Sequence, residues 1–597
     1  TTSGTITLNS VASAGAGTPV TYDAIEGGTF SKLDLNLNVF NAAAGGTAGN
    51  VSIGNVANDL KIKEGTLKTG TIEGSSTDAN KVSGTATITG KDLAFGVAPD
   101  PVGDKGETSV TNPGSAYDFD NAADVTLNVT GAGTVAFNKG TITNAGKMTV
   151  TGKTGVTVGK EVSIANTGDL TFKDDAKVDF KADYTATAGR LFIESVDNTI
   201  SGNITADSLK FGDANTDLTK ETNQVVITGS TSNTIAYGST VDVKALTVED
   251  AATTINGTLK AATTAVTDAT PAGLTVADTA KTVDQNTITQ YAAVSLGDIT
   301  VGSDKSGATG GITFTLTNNA ENAVEASSLT VVKNSTVNTF TLANGDFSVG
   351  KLTNQGNVTL TGGEFSLTGE GSNASGAVIT LASSKDDASL VVAEGASLQN
   401  QGSITAADDQ GKIYVGGTLT NLPKIAATNT TAEVPAGTIK AAAVEVDGVL
   451  STALDAATYD VAETTINTAG ELQTSYNARL DGEAVADQKP ANALEIANTI
   501  DLAGKITVAG TEVQDYIVNA TGGAFTIKEA DKTFNTVQVK AGEFKTDDAD
   551  VTLSVLEVKE AGKATVDSGT LNVTTLKTAA ATNTVTVEDG TLATSLT

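Results

Sequence analysis

Acidic side chains carry most of the chemistry open to this chain. Asp118, Asp120 and Asp124 are spaced around Asn121, and Asp547, Asp548 and Asp550 form a second group of close acids. Calcium takes six to eight oxygens from carboxylates and carbonyls, so both groups are candidate calcium sites, although neither fits a twelve-residue loop closed by Glu. Adjacent acids raise a second chemistry, because glycoside hydrolysis uses two carboxylates. The pairs are Asp174/Asp175, Asp386/Asp387, Asp408/Asp409 and Asp547/Asp548. Neighbours on a strand point to opposite faces, so these pairs do not cooperate by themselves and read as solvated turns. Gly152-Lys153-Thr154 has the tail of a phosphate-binding loop, but Lys147 stands where that motif needs Gly and no helical pattern follows. The chain contains no Cys and no His. That excludes a thiol nucleophile, a Ser-His-Asp triad and the usual zinc site. No catalytic residue is assigned, and no enzymatic activity is expected.

The elements that must position these acids repeat. One phrase occurs four times: aliphatic, spacer, Asn, spacer, Gly, spacer, aliphatic. Its Asn and Gly are Asn144 and Gly146, Asn166 and Gly168, Asn354 and Gly356, Asn400 and Gly402. The first two copies lie 22 residues apart and the last two 46, read as twice 23. A fixed period in the low twenties marks a structural repeat. The phrase reads as strand, tight turn, strand, with Asn and Gly supplying left-handed backbone at a corner. Short alternating runs such as Val125-Thr-Leu-Asn-Val129 and Asp169-Leu-Thr-Phe172 have the period of half-buried strands. About three such runs fit each interval. Near the end, Val566-Asp-Ser-Gly569-Thr-Leu571 returns 21 residues later as Val587-Glu-Asp-Gly590-Thr-Leu592.

Composition agrees with a thin, stacked interior. Hydrophobic residues make up 39% but aromatics only 4%, and 8 prolines leave few interrupted ladders. The net charge of −32 argues against nucleic acid and against anionic membranes. No apolar run approaches the length of a membrane-spanning helix, so no membrane insertion is expected. The chain starts Thr1-Thr2 rather than Met, as a processed or trimmed chain does. The sequence divides into a β-rich region at 1–96, a Pro-containing linker or long loop at 97–124, and a solenoid region at 125–260. An Ala/Thr-rich β region follows at 261–345, then solenoid at 346–435, irregular β-rich sequence at 436–530 and β repeats at 531–597. Residues 482–498, from Glu483-Ala-Val-Ala-Asp to Leu494-Glu-Ile-Ala, read as a short helix after Pro490.

At the Asn-x-Gly phrases the chain resembles the β-helical surface proteins of Gram-negative bacteria, of the filamentous-haemagglutinin and autotransporter-passenger type. The likeness covers about 120–180 and 345–420 and weakens over 530–597. In composition the chain resembles bacterial surface-layer (S-layer) proteins, without their Gly-Gly-x-Gly-x-Asp calcium repeats. The resemblance implies an all-β, right-handed parallel β-solenoid, with tandem β-sandwich domains as the alternative. It also implies a secreted structural protein on the bacterial cell surface that assembles with copies of itself into a layer or fibre. A β-helical adhesin is one alternative and a polysaccharide-processing β-helix enzyme another. The partners expected are further copies of the chain and cell-surface polysaccharide or lipopolysaccharide. Calcium is the one cofactor considered.

Overall fold

The computed structural model describes the chain except residues 1–2, 11–19, 23–26, 42–47, 74–83, 100–111, 187, 207–208, 212–224, 228–231, 249–250, 267–271, 284–285, 303–310, 334–336, 382–387, 407–410, 428–431, 453–458, 475–492, 580–582 and 595–597. Alternating apolar and hydroxyl residues form strands because β-branched side chains suit a pleated, half-buried surface. The described residues contain strands and no helix. They fall into two compact units, Thr1–Gly297 with Asn319–Asn322, and Asp298–Asn318 with Ala323–Thr597.

In the first unit, Val125–Gly131, Lys147–Gly152, Asp169–Asp174 and Arg190–Glu194 lie parallel and in register. Leu127 faces Met148, Met148 faces Leu170, and Leu170 faces Leu191. Parallel neighbours one repeat apart mean that the chain goes round once between them. Each turn covers three faces. Thr134–Asn144 bends where its register shifts between Phe137 and Lys139, and Lys147–Gly152 makes the third side. The second unit repeats the plan: Val358, Ile379, Ile404 and Ile439 stack on Asn357–Leu360, Val378–Leu381, Ser403–Ala406 and Thr438–Val446. The fold is a parallel β-solenoid, not a set of sandwiches, whose sheets are antiparallel. Thr279–Val283 and Asn286–Gln290 form an antiparallel hairpin.

Every second side chain points inward, so the core is a set of stacked columns. Phe95 and Phe137 stack on one face, and Tyr117 and Phe119 reach them from a neighbouring face to make one aromatic cluster with adjacent ring centroids 4.9–5.4 Å apart. Phe340, Phe347 and Phe365 make another in the second unit at 5.2–6.4 Å. Such offset and edge-on pairs add about 0.5–1.5 kcal/mol each beyond area burial.

Three sequence expectations change. Leu494 and its neighbours form the strand Ala493–Ile496, parallel to Asp515–Lys528, because solenoid register overrides a weak helical pattern. Within the stretch read as a linker, Tyr117–Asn121 is a coil strand pairing with Gly65–Glu73 and Thr134–Asn144. The 46-residue interval between Asn354 and Asn400 is two coils of 19 and 27 residues, not two of 23. The C-terminal period holds: Val566 pairs Val587 and Leu571 pairs Leu592.

Candidate functional site

The four Asn residues of the repeated phrase are not turn residues. Each ends a strand with its amide inside: Asn144 is 1% exposed, and Asn354 and Asn400 are 0% exposed. A buried amide must find partners for two N–H groups and an oxygen. Stacking supplies them. Asn121 Nδ2 donates to Asn144 Oδ1, and Asn144 Nδ2 to Asn166 Oδ1, both at 2.8 Å. Asn166 Nδ2 donates to the Tyr184 hydroxyl at 3.1 Å, and Thr69 Oγ1 caps the other end by donating to Asn121 Oδ1 at 2.8 Å. In the second unit the ladder runs Asn354, Asn373, Asn400, Asn421 at 2.7–2.8 Å and ends on Thr452 Oγ1 at 3.1 Å.

The other Nδ2 hydrogen explains the glycines. It reaches the carbonyl just past the next coil's turn: Asp169 from Asn144, Arg190 from Asn166, Ser403 from Asn373, and Thr438 from Asn400. Each asparagine thus pins the turn of the next coil. That turn packs so closely that a Cβ on Gly146, Gly168 or Gly402 would overlap a backbone carbonyl of the preceding coil: Ala122, Gly146 and Ala377 respectively. On Gly356 a Cβ would meet the Asn338 carbonyl at 2.5 Å. None of these four glycines has positive φ. The expectation of left-handed corners is therefore corrected: glycine is required by stacking distance, not by backbone angle. Left-handed corners occur elsewhere, at Gly569 and at Asp548, with φ of 78° and 49°. Sequence reasoning missed Asn121, Asn373 and Asn421, which lack the following Gly. Their common signal is an inward residue, a spacer and Asn at a strand end: Phe119-Asp-Asn121, Gly371-Ser-Asn373, Leu419-Thr-Asn421.

The acids serve turns and ladders. Asp118 lies on Tyr117–Asn121 and accepts from the Thr141 amide at 2.7 Å. Asp120 is exposed on the same strand, and Asp124 sits in the turn after it. Asp547 accepts from Ser568 Oγ at 3.2 Å, the Asp548 amide donates to the same hydroxyl at 2.6 Å, and Asp550 is exposed on Ala549–Val566. Among the described residues no three Asp, Glu, His or Cys side chains converge where a metal ion could sit. Asp174 ends the strand Asp169–Asp174, is buried and accepts from the Ala176 and Lys177 amides, while Asp175 is exposed in the turn that follows, so the two do not act as a pair. Asp386/Asp387 and Asp408/Asp409 lie outside the described residues.

Ion pairs also run from coil to coil. Burial works to push the Glu543 carboxyl up, but Lys563 at 2.8 Å and the Thr565 hydroxyl outweigh it and hold its pKa below the usual value. Glu543 and Lys563 line a groove with Gly522, Gly523, Gly542 and Gly562. Glu471 accepts from Lys505 and Thr507 at 2.8 Å and from Gln473 at 3.1 Å, and the Lys505 bond leads in lowering its pKa. Burial raises the Tyr117 and Tyr459 phenols well above their usual value. No family model, curated protein or solved structure matches this chain.

Proposed function

We propose that this chain is a secreted structural protein of a bacterial cell surface that assembles with copies of itself into a layer or fibre. One observation carries the reading: the conspicuous polar side chains of the repeats are spent on holding coil to coil. The asparagines satisfy one another, and acids such as Asp118, Asp174, Glu471 and Glu543 bond to backbone amides or to lysines of the fold. A quasi-one-dimensional stack of this kind gives long, regular, side-chain-defined faces, which suit building better than turnover. Negative-stain microscopy of the purified protein tests it. Ordered sheets or filaments are expected, and single particles at every concentration would refute assembly.

An adhesin is the second reading. In the second unit, loops after Ser328–Val331 and after Thr418–Asn421 leave the same corner, and they expose Val337 (61%) and Ile425 (53%). Loops gathered on one side of a repeat fold are a common binding arrangement. Saturable binding of monomeric protein to cells, polysaccharide or lipopolysaccharide, lost on substituting Val337 and Ile425 by Ser, would favour this reading.

A further inference from the structure

One face of the second unit differs from the others. Thr315, Thr341, Thr359, Thr380 and Thr405 point outward and stack in register on five successive coils. Beside them runs a column of Thr, Asn, Val and Ser, and the first charge met in the threonine column is Lys440. The other faces of the same coils carry Lys351 and Glu370, or Glu364 and Lys412. In a chain of net charge −32, strands whose described outward residues are uncharged over this extent are conspicuous. Threonine is stiff about χ1 and presents a methyl beside its hydroxyl. Ordering such a surface against a partner costs little side-chain entropy.

We propose that this hydroxyl face is where one copy of the chain docks laterally on a second copy. The inference rests on the assembly reading above and names its contact surface. Charge selects the occupant: copies meeting through their acidic faces repel, whereas two uncharged faces do not. Their columns share the interstrand spacing of about 4.8 Å, so ridges of one can sit between ridges of the other. Five strands at that spacing, each about 15 Å long, cover roughly 350 Å², somewhat under half of what a stable two-body interface buries per partner. The contact is therefore weak for a pair and effective when repeated through a lattice.

The absence of Cys allows a clean test. Thr341→Cys, Thr359→Cys and Thr380→Cys, alone and in pairwise mixtures, each place one thiol per chain on the face. Thr353→Cys places one on another face of the same coils. Mild oxidation at high protein concentration should give disulfide-linked dimers from the face variants and none from Thr353→Cys. The double variant Thr359→Glu/Thr380→Glu should raise the concentration needed for assembly at least about tenfold, and Thr353→Glu should not. Multimers that cross-link only through Thr353→Cys, or that survive the double Glu substitution unchanged, overturn this contact and leave the assembly reading standing. Single particles in micrographs at every concentration overturn both.

Discussion

A buried amide ladder makes each asparagine answerable for three coils. Removing the Asn144 side chain strands one Asn121 N–H, the Asn166 Oδ1 and the Asp169 carbonyl together. Each buried group left without its partner costs about 1–3 kcal/mol. Asn144→Ala should therefore lose about 2–4 kcal/mol in denaturant unfolding, and Asn144→Leu should not recover it. Asn421→Ala, at a ladder end against Thr452, should cost less; equal losses at both positions would mean that the amides do not act as a chain. For the glycines, Gly168→Val should cost on the order of 1–3 kcal/mol through strain at the Gly146 carbonyl. Gly155→Ala is the control, since its Cβ would meet nothing nearer than 3.9 Å and its φ is not positive. The sequence made the importance of these positions legible but not its cause. Asn followed by Gly is the ordinary signature of a tight turn, and nothing local distinguishes that from an amide facing the coil below.

At the level of the coil, legibility depended on whether a signal was periodic. The hydrophobic alternation that produces Leu127 over Met148 over Leu170 was readable because it repeats every second residue. Coil length was not readable, because loops of different length are inserted between strands whose register stays fixed. Asn354, Asn373 and Asn400 stack although their separations are 19 and 27 residues. The same stacking sets electrostatics that no single strand encodes. Glu364 is partly buried and next to Asp346, and these raise its pKa, burial most. A raised folded-state value means that its ionisation disfavours the fold, a penalty that grows as pH rises from the unfolded value through the folded one. Glu364→Gln should thus stabilise the protein by a few tenths of a kcal/mol at neutral pH, and the gain should vanish in acid. Glu471 is the opposite case. Its lowered pKa gives a contribution present above the unfolded value of a carboxylate and lost as pH falls through the folded value. Glu471→Gln should lower stability at neutral pH and flatten the acid limb of the stability curve. Unfolding midpoints of both variants from roughly pH 3 to 8, a span that brackets the ordinary carboxylate range, settle the two signs together.

Across the whole molecule the dominant quantity is charge. At −32, with a pI near 4.3, copies brought side by side repel unless something neutralises or screens them. Calcium held at Asp118, Asp120 and Asp124 or at Asp547, Asp548 and Asp550, the candidate sites in the sequence, would neutralise such charge. Among the described residues neither group converges into a cage, so the geometry favours a generic effect over a dedicated site. Screening shortens the reach of surface charge to about 10 Å at 0.1 M salt. Association measured by light scattering should then rise with sodium chloride alone. Calcium and magnesium should act equally at equal concentration, and a chelator should have no effect once monovalent salt is high. Restoration by micromolar calcium but not magnesium would instead require a specific site. Acid provides a second route to the same neutral state. Carboxylates held low, such as Asp92 by the Thr134 amide and Glu471 by Lys505, keep their charge and their structural bonds to lower pH than an unperturbed carboxylate does. Association should therefore increase as pH falls towards 4.3, before the capping carboxylates are lost and the coils begin to open. Opening that precedes association would show that repulsion between copies is not what limits assembly.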